Sequence, residues 1–268
     1  MINDRCAGHP HRSADMPLDG IEKDLVSAML GSLARPDAVV EEVVAGPLFI
    51  AVVAGGRMGI SSLLSARPRD GEKDLAGKAV GMKAARVAEY LLGPSPYAVC
   101  LAMAALNAAV TPDTSSLRED DRPADALIAD LGRGKNVGLV GEFPFTEALR
   151  EKVGALHLFE LRDAPGALPR ERWDQVLPGL DVLAVTGTAL LTRQMGYFLT
   201  GAERAVKIIL GPTTPFSPVL FRFGADYLSG SVVTDHRRVA EGIRAGVSFR
   251  AIKKNGGIRF VQLRKEDL

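Results

Sequence analysis

The sequence predicts an α/β protein in which a small α+β domain precedes a larger domain built on a parallel sheet. Two features of the 268-residue chain predict this class. In the second half, short β-branched or leucine-rich runs alternate with helical patterns, an order that favours a parallel sheet with helices on both faces. In the first half, a helical pattern precedes two β-like runs and the dipeptide Gly55-Gly56, which indicates a hairpin and a small antiparallel meander.

The N-terminal domain is expected over residues 17–112, after a flexible tail at residues 1–16. Asp19 and Glu22 form a capping-box pattern, and an apolar residue at every fourth position behind it predicts a helix. Three further runs predict the strands of the meander: Ala38–Ala45, Leu48–Ala54 and Met58–Leu64.

Two helical patterns, Ala84–Leu92 and Pro96–Val110, complete this domain. Ser95 precedes the second as an N-cap, with a proline at the first helical position. This second helix is apolar on nearly all sides, so it is expected to be buried. Asn107 is its lone strongly polar side chain and must find hydrogen bonds, either in the structure or in a site. Residues 113–123 are polar and contain prolines, which indicates a domain linker.

The C-terminal domain is expected over residues 124–268. Its strands are predicted at Asn136–Val140, Ala155–Leu161, Asp181–Thr186, Ala205–Leu210 and Leu228–Thr234. Its helices are predicted at Thr146–Lys152, Arg170–Leu177, Ala189–Leu199, Ser217–Phe223 and Arg237–Ala245. A last run, Ile258–Leu263, is expected to add a strand to the sheet.

Charge and hydropathy exclude several classes of partner. The 33 lysines and arginines nearly cancel the 32 aspartates and glutamates, so nucleic-acid binding is not expected. The longest apolar run, Ala98–Leu106, is far shorter than the roughly 20 residues that span a bilayer, and the N-terminus lacks the apolar core of a signal peptide. We therefore expect a cytoplasmic protein without a membrane partner, and the base rates of oligomers favour a homodimer.

Metal-ligating residue types also occur in the N-terminal tail, at Cys6, His9 and His11. A structural zinc site needs four ligands, and no fourth lies within sequence reach. The only other cysteine, Cys100, belongs to an apolar helical pattern, so a disulfide is not expected and a reducing compartment fits. We interpret the tail as a mobile leader.

Ligands of an open parallel sheet bind outside the C-terminal ends of its strands. The polar residues that follow the predicted strands are therefore candidates for a site. They are Glu142 with Phe143, Glu160, Thr186 to Thr188, Gly211 to Thr214, and Asp235 with His236. Glu142 and Glu160 could hold a hard cation or act as a general base; Asp235 is more often a helix N-cap, and His236 is expected to be exposed.

The segment that contains Thr213 and Thr214 is the most distinctive. Gly211 and Pro212 force a sharp exit from the strand, and the two threonines offer hydroxyls beside main-chain N–H groups. Ser217 with the following proline then matches an N-cap and first helical position, and a helix N-terminus of this kind can bind an anion. A rigid turn that binds nothing is the alternative, and both interpretations stay open.

A standard NAD or FAD site is disfavoured. Glu160 does lie 19 residues after Gly141, near the spacing of the acid that holds a ribose. The loop after the first strand reads GEFPF, however, and lacks the glycines that let the main chain approach a pyrophosphate. The cofactor stays unknown, and a nucleoside held without a pyrophosphate cradle stays possible; a divalent or heavy metal ion is only what the family resemblance given below implies.

Five segments resemble one known family, the uncharacterised bacterial and archaeal family labelled putative heavy-metal chelation domain. The segments are Leu101–Ala108, Val140–Pro144, Val185–Leu190, Gly211–Pro218 and Gly224–Asp235. The resemblance implies an N-terminal domain similar to that of enolase, followed by a Rossmann-like domain. It does not imply enolase chemistry.

The resemblance also implies a site in the cleft between the two domains. Carried onto this sequence, the ligand-binding residues are Asn107, Phe143, Thr186, Gly187, Thr188, Gly211, Pro212, Thr213 and Thr214. Glu142 and Asp235 are the implied metal ligands, and Glu142 is also the candidate catalytic residue.

Three functions follow as hypotheses. The leading one is a protein that binds a small anionic ligand, a heavy metal or a metal chelate in the interdomain cleft; a Thr213→Val/Thr214→Val variant is then expected to lose binding without unfolding. The second is a lyase or transferase for a nucleoside-like or carboxylate substrate, with Glu142 as general base. The third is a ligand-free scaffold, for which a shallow, open cleft is expected.

Overall fold

The computed structural model describes residues 18, 20–64, 66–110, 123–162 and 164–267. These residues form a three-stranded antiparallel sheet and a separate six-stranded sheet. The larger sheet is parallel except for its last strand, with helices on both faces, so the expected α/β class is confirmed. The predicted tail, Asp19 of the capping box and nearly all of the predicted linker lie outside the described residues, and the domain boundaries stay a prediction.

The small sheet is the predicted meander. A helix α1 (Gly20–Leu30) precedes the strands β1 (Val40–Ala45), β2 (Phe49–Ala54) and β3 (Arg57–Ser62), each antiparallel to the next. Gly55 and Gly56, between β2 and β3, both have positive φ, at +54° and +70°. This backbone suits a tight two-residue hairpin, and glycine adopts it without steric cost.

Four helical segments follow the small sheet and cover it. They are α2 (Leu75–Ala79), α3 (Ala84–Ala88), a 3-10 turn (Glu89–Leu92) and α4 (Pro96–Val110). Ser95 caps α4 as predicted, because its Oγ accepts a hydrogen bond from the Ala98 N–H at 3.2 Å. The many alanines of α4 permit a close approach: a Cβ on Gly59 of β3 would collide with the main chain of Ala104 and Ala108.

Both faces of the small sheet are covered, which explains why every residue of the run FIAVVA is buried. Ile50, Val52 and Ala54 belong to the core that contains α4. The opposite face packs on the helix that follows the fifth parallel strand, where Val239 and Ile243 lie in one apolar cluster with the small sheet. The small sheet is therefore held against the larger one.

The larger sheet contains six strands, in the spatial order β5-β4-β6-β7-β8-β9. The strands are β4 (Asn136–Val140), β5 (Ala155–Phe159), β6 (Val182–Thr186), β7 (Val206–Leu210), β8 (Tyr227–Val233) and β9 (Ile258–Arg264). The helices are α5 (Ala124–Gly132), α6 (Thr146–Arg150), α7 (Trp173–Val176), α8 (Met195–Gly201), α9 (Val219–Arg222), α10 (His236–Arg244) and α11 (Phe249–Lys254). The strands β4 to β8 run parallel, and β9 is added antiparallel to β8.

Several helices differ from the prediction. The single helix expected at Ala189–Leu199 is instead a 3-10 turn (Gly187–Leu190) followed by α8, because Arg193 between them has a φ of +56°. The helix expected at Ser217–Phe223 shrinks to the four residues of α9. The short helices α2, α5 and α11 were not predicted. In the described part of the chain, no helix has the length and apolarity needed to cross a membrane.

Candidate functional site

A cavity of about 290 Å³ lies between the small sheet and the C-terminal end of the larger one. Its walls come from β3, α4, the loop after β7, the end of β8 and the start of α10. The lining residues are Gly56, Arg57, Met58, Gly59, Ile60, Asn107, Pro212, Thr214, Phe216, Ser231, Val232, Val233, Thr234 and His236. We call this space the cleft cavity.

The cleft cavity exists because β8 is longer than its neighbour β7. The β7 pairing ends where Leu210 meets Ser229, whereas β8 continues to Val233 and pairs there with β9 alone. The Ser229 carbonyl accepts a hydrogen bond from the Gly211 N–H at 3.0 Å, so it points to the β7 side. Strand alternation then directs the main-chain groups of Ser231 and Val233 to the same side. That edge of β8 forms one wall of the cavity.

Asn107 and Thr213 hold the opposite wall in place. The Asn107 Nδ2 donates to the Ile60 carbonyl at 2.9 Å and to the Thr213 carbonyl at 3.1 Å. The Thr213 Oγ1 accepts from the Ser62 N–H at 3.0 Å and donates to the Ser62 Oγ at 3.1 Å. The Thr213 hydroxyl is thus engaged within the protein, and its role here is structural.

Thr214 differs from its neighbour. It is 3% exposed and lines the cavity, and its Oγ1 has no hydrogen-bond partner among the described residues. The Ser231 Oγ, on the β8 wall, also has no hydrogen-bond partner among the described residues. Buried hydroxyls nearly always bond to protein or to ordered water, so both groups have hydrogen-bonding capacity to offer at the cavity.

Positive charge surrounds the cavity. Arg57 and His236 both line it. None of the lining residues, all of which the structure describes, has a carboxylate or a thiol. Arg35 lies nearby, donating to the Gly55 carbonyl at 2.8 Å and to the Ala108 carbonyl at 2.8 Å. Burial and then the charge of Arg57 lower the pKa of Arg35, which indicates that the two guanidinium groups interact.

Two carboxylates occur close to the cavity but are engaged elsewhere. The Glu41 Oε1 accepts from the Gly56 N–H at 2.9 Å. Asp235 caps α10: its Oδ1 accepts from the Arg238 N–H at 3.1 Å, and its Oδ2 lies 3.2 Å from the Arg238 Nε. The more frequent role of an aspartate at this position is therefore the one observed.

The predicted site residues fall into three groups. Asn107, Pro212 and Thr214 line the cavity. A second group lies just outside the lining and shapes the loops beneath it: Thr186, Gly187, Thr188, Gly211 and Thr213. The structure does not place Glu142, Phe143 or Asp235 in the lining.

The second group is joined by close contacts. The Thr186 Oγ1 and Thr188 Oγ1 lie 2.9 Å apart, so these hydroxyls bond each other. Gly187 packs directly under Thr214, and a Cβ at this position would lie 2.6 Å from the Thr214 nitrogen and 2.8 Å from its Oγ1. Gly211 has a φ of +106°, as the predicted sharp turn requires.

Glu142 and Asp235 are not brought together. Glu142 is exposed after β4, and Asp235 follows β8. Since β6 and β7 lie between those strands, the two ends are three strand spacings apart, about 14 Å. One metal ion cannot reach both carboxylates. Phe143 instead stacks on Phe145, with 5.0 Å between the ring centroids.

The predicted anion site at Ser217 is not formed. The helix begins at Val219 and has only four residues, and no side chain caps it. The Ser217 Oγ is buried without a hydrogen-bond partner in the described part of the chain. The helix dipole of one turn is too weak to define an anion site.

Several lining residues were not predicted, above all Arg57 and Ser231. His236, which was expected to be exposed, is half-buried and lines the cavity. The position of Arg57 directly after the Gly55-Gly56 turn was the available signal, because a hairpin end is a common place for a ligand-facing side chain.

The two sheets define an α/β protein, and comparison with known proteins shows the family and the fold. The DUF364 family, described as putative heavy-metal chelation, matches residues 125–262. The DUF4213 family, with the same description, matches residues 28–110. The chain belongs to the DUF364 family, as the resemblance implied.

Two solved structures show the same fold. A DUF364 protein of unknown function from Desulfitobacterium hafniense is 23% identical, with a TM-score of 0.81 over 90% of this chain and 98% of that one. A DUF364 protein of unknown function from Pyrococcus horikoshii is 17% identical, with a TM-score of 0.68 over 93% of this chain and 100% of that one. No curated protein matches the chain.

The described residues do not fit the metal that the family description implies. Among them, no group of three or more His, Cys, Asp or Glu side chains is placed to hold an ion. Cys100 is buried in α4, and burial raises the pKa of its thiol to about 12. A thiolate is the form that binds soft metals, so this cysteine is not available as a ligand.

Proposed function

We propose that the cleft cavity binds a small anionic molecule. The observation that carries the proposal is the composition of the lining: Arg57 and His236 contribute positive or ionisable groups, and no lining residue is acidic. A low-dielectric cleft lined by one sign of charge concentrates ligands of the opposite sign.

The unpartnered hydroxyls support the proposal. Leaving a buried hydroxyl without a hydrogen bond costs about 1–3 kcal/mol. A ligand with oxygen atoms on its surface would restore the bonds of Thr214 and Ser231 and recover that cost. The guanidinium of Arg57 would pair with its anionic group, and charge-assisted hydrogen bonds of this kind are the strong ones.

The size of the cavity sets the size of the ligand. Its volume of about 290 Å³ lies at the lower end of the roughly 300–1,000 Å³ found for small-molecule sites. Met58 and Phe216 add apolar surface to the walls. The ligand is therefore a compact anion with some apolar surface.

A role for Glu142 as general base finds no support in the geometry. Its carboxylate is exposed at the end of β4, outside the lining of the cavity. The lyase or transferase hypothesis would need another base.

Calorimetric titration of the full, tag-free chain with citrate and with inorganic phosphate tests the proposal. We expect one of these anions to bind, and Arg57→Ala to weaken that binding about tenfold or more, since a charged hydrogen bond contributes about 1.5–3 kcal/mol. Arg133→Ala is the matched control, because Arg133 is exposed at the end of α5 and away from the cavity. The proposal fails if neither anion binds, or if Arg57→Ala and Arg133→Ala behave alike.

A further inference from the structure

We infer that the described part of the chain does not chelate a bare metal ion, and that the cleft cavity admits a metal only inside an anionic complex whose own donor atoms coordinate the ion. The inference rests on the proposed anion-binding function. It deepens that function by naming the class of ligand and the form in which a metal would enter.

The donor set carries the first part of the argument. Zinc and similar ions take three or four ligands from Cys, His, Asp and Glu, and calcium takes six to eight oxygens. Among the lining residues, all of which the structure describes, His236 is the only one of those four types. One imidazole cannot satisfy zinc or a similar transition-metal ion, so the remaining donors to such an ion would have to arrive with the metal.

The nearby carboxylates do not supply the missing metal ligands. Glu41 accepts a hydrogen bond from the Gly56 N–H, and Asp235 is bound to Arg238 through both oxygens. Glu142 is about 14 Å away across the sheet, at the end of β4. Neither Glu41 nor Asp235 lines the cavity, so neither carboxylate supplies a donor inside it.

Electrostatics carry the second part. Arg57 lines the cavity, and a second guanidinium lies beside the same turn, because the Arg35 Nη1 donates to the Gly55 carbonyl at 2.8 Å. A divalent cation placed beside this pair is repelled, whereas a complex with net negative charge is attracted. The same lining therefore discriminates between two forms of one metal by the sign of their charge.

The size of the cavity carries the third part. Its volume is about 290 Å³, and a water molecule occupies about 30 Å³ in the liquid. Donors to a bare ion must converge to about 2.0–2.6 Å from one point. A space that could hold several waters keeps its walls too far apart for that. It suits a molecule that fills the space and presents oxygens to Thr214 and Ser231.

The test uses one metal in two inert complexes of opposite charge. The full chain is titrated with the cobalt(III)–EDTA anion, with the hexaamminecobalt(III) cation and with metal-free citrate, under the same buffer conditions. We expect the EDTA complex to bind once per chain and about tenfold more weakly to Arg57→Ala, with Arg133→Ala unchanged. We expect no binding of the cation.

Bare ions are tested separately, with Ni²⁺ and Cd²⁺ as probes. The variant Cys6→Ser/His9→Ala/His11→Ala also carries Glu119→Gln/Asp120→Asn/Asp121→Asn, so that it lacks the cysteine, the histidines and the acidic run that lie outside the described residues. We expect this variant to bind neither ion, whether or not the parent chain does. Stoichiometric binding of Ni²⁺ or Cd²⁺ to the variant would overturn the inference.

The outcomes separate the inference from the function on which it rests. If citrate binds through Arg57 but the cobalt–EDTA anion does not, the inference is wrong and the proposed function stands. If binding of the cobalt complexes does not depend on their charge, the inference is again wrong. If neither citrate nor the cobalt(III)–EDTA anion binds, the proposed function is wrong, and the inference that rests on it is wrong with it.

Discussion

Thr213 and Ser62 exchange two hydrogen bonds across the junction of the two sheets: the Ser62 N–H donates to the Thr213 Oγ1 at 3.0 Å, and the Thr213 Oγ1 donates to the Ser62 Oγ at 3.1 Å. One buried hydroxyl thereby fastens the loop after β7 to the end of β3. The neighbouring Thr214 makes no such bond within the described residues and lines the cavity instead. Adjacent threonines thus have different tasks, one in stability and one in the proposed binding.

Thr213→Val is expected to lower the free energy of unfolding by about 1–3 kcal/mol, because it leaves the Ser62 N–H without its partner. Urea denaturation followed by circular dichroism measures the change. Thr213→Ser keeps the hydroxyl and should lose much less. Equal losses in the two variants would show that the hydroxyl does not fasten the loop. The double variant with Thr214→Val is therefore expected to be destabilised, contrary to the sequence-based expectation.

Thr214→Val is expected to weaken anion binding without lowering stability. Its Oγ1 makes no hydrogen bond to the described residues, so the ligand-free variant should be at least as stable as the parent chain. Binding of the anion found by titration should weaken about fivefold or more, since a ligand hydrogen bond contributes about 1 kcal/mol. Thr214→Ser is the control and should bind normally. Normal binding by Thr214→Val would remove this hydroxyl from the site.

Gly187→Ala is expected to destabilise the protein by about 1–3 kcal/mol and to weaken anion binding. The new Cβ would lie 2.6 Å from the Thr214 nitrogen, so the loop must move. Gly179→Ala is the matched control, because a Cβ at that turn meets nothing within 4 Å. Thermal denaturation and the citrate titration together measure both effects. A Gly187→Ala protein as stable as the control would contradict the packing.

Cys100 is expected to be inert in the folded protein. Burial raises the pKa of its thiol to about 12, so the thiol stays protonated at every pH below that value. The reagent DTNB, which reacts with thiolates, should label a Cys6→Ser chain slowly at pH 8 and rapidly once urea unfolds it. Rapid labelling without urea would show that α4 opens and exposes the Cys100 thiol in the folded protein.

Local patterns were sufficient for much of the fold. The bounds of β4 and α4 are those predicted, because a compact apolar run and a capped apolar helix are visible in any window of the sequence. The turn at Gly55-Gly56 was predictable for a similar reason, since few other dipeptides tolerate two positive φ angles. The break in the predicted helix at Ala189–Leu199 was not, because it depends on the φ of a single arginine, Arg193.

The site was less predictable, because it depends on which distant segments meet. The strand-end rule treats all strand ends alike, so it selected Glu142 together with Thr214. The spatial order of the strands decides which of them reach the cavity, and β6 and β7 separate β4 from β8. The hairpin turn before Arg57 is visible in the sequence, but Arg57 reaches the cavity because the small sheet docks on α10, and that long-range contact is not.

The extra length of β8 has a consequence for how the cleft can evolve. Beyond the end of β7, Ser231 and Val233 present main-chain N–H and C=O groups to the cavity along the unpaired edge of β8. A wall of this kind keeps its hydrogen-bonding pattern under nearly any substitution that preserves the strand. Sequences can therefore drift far apart while this recognition surface stays the same, and changes at Arg57 or Thr214 can retune which molecule it accepts.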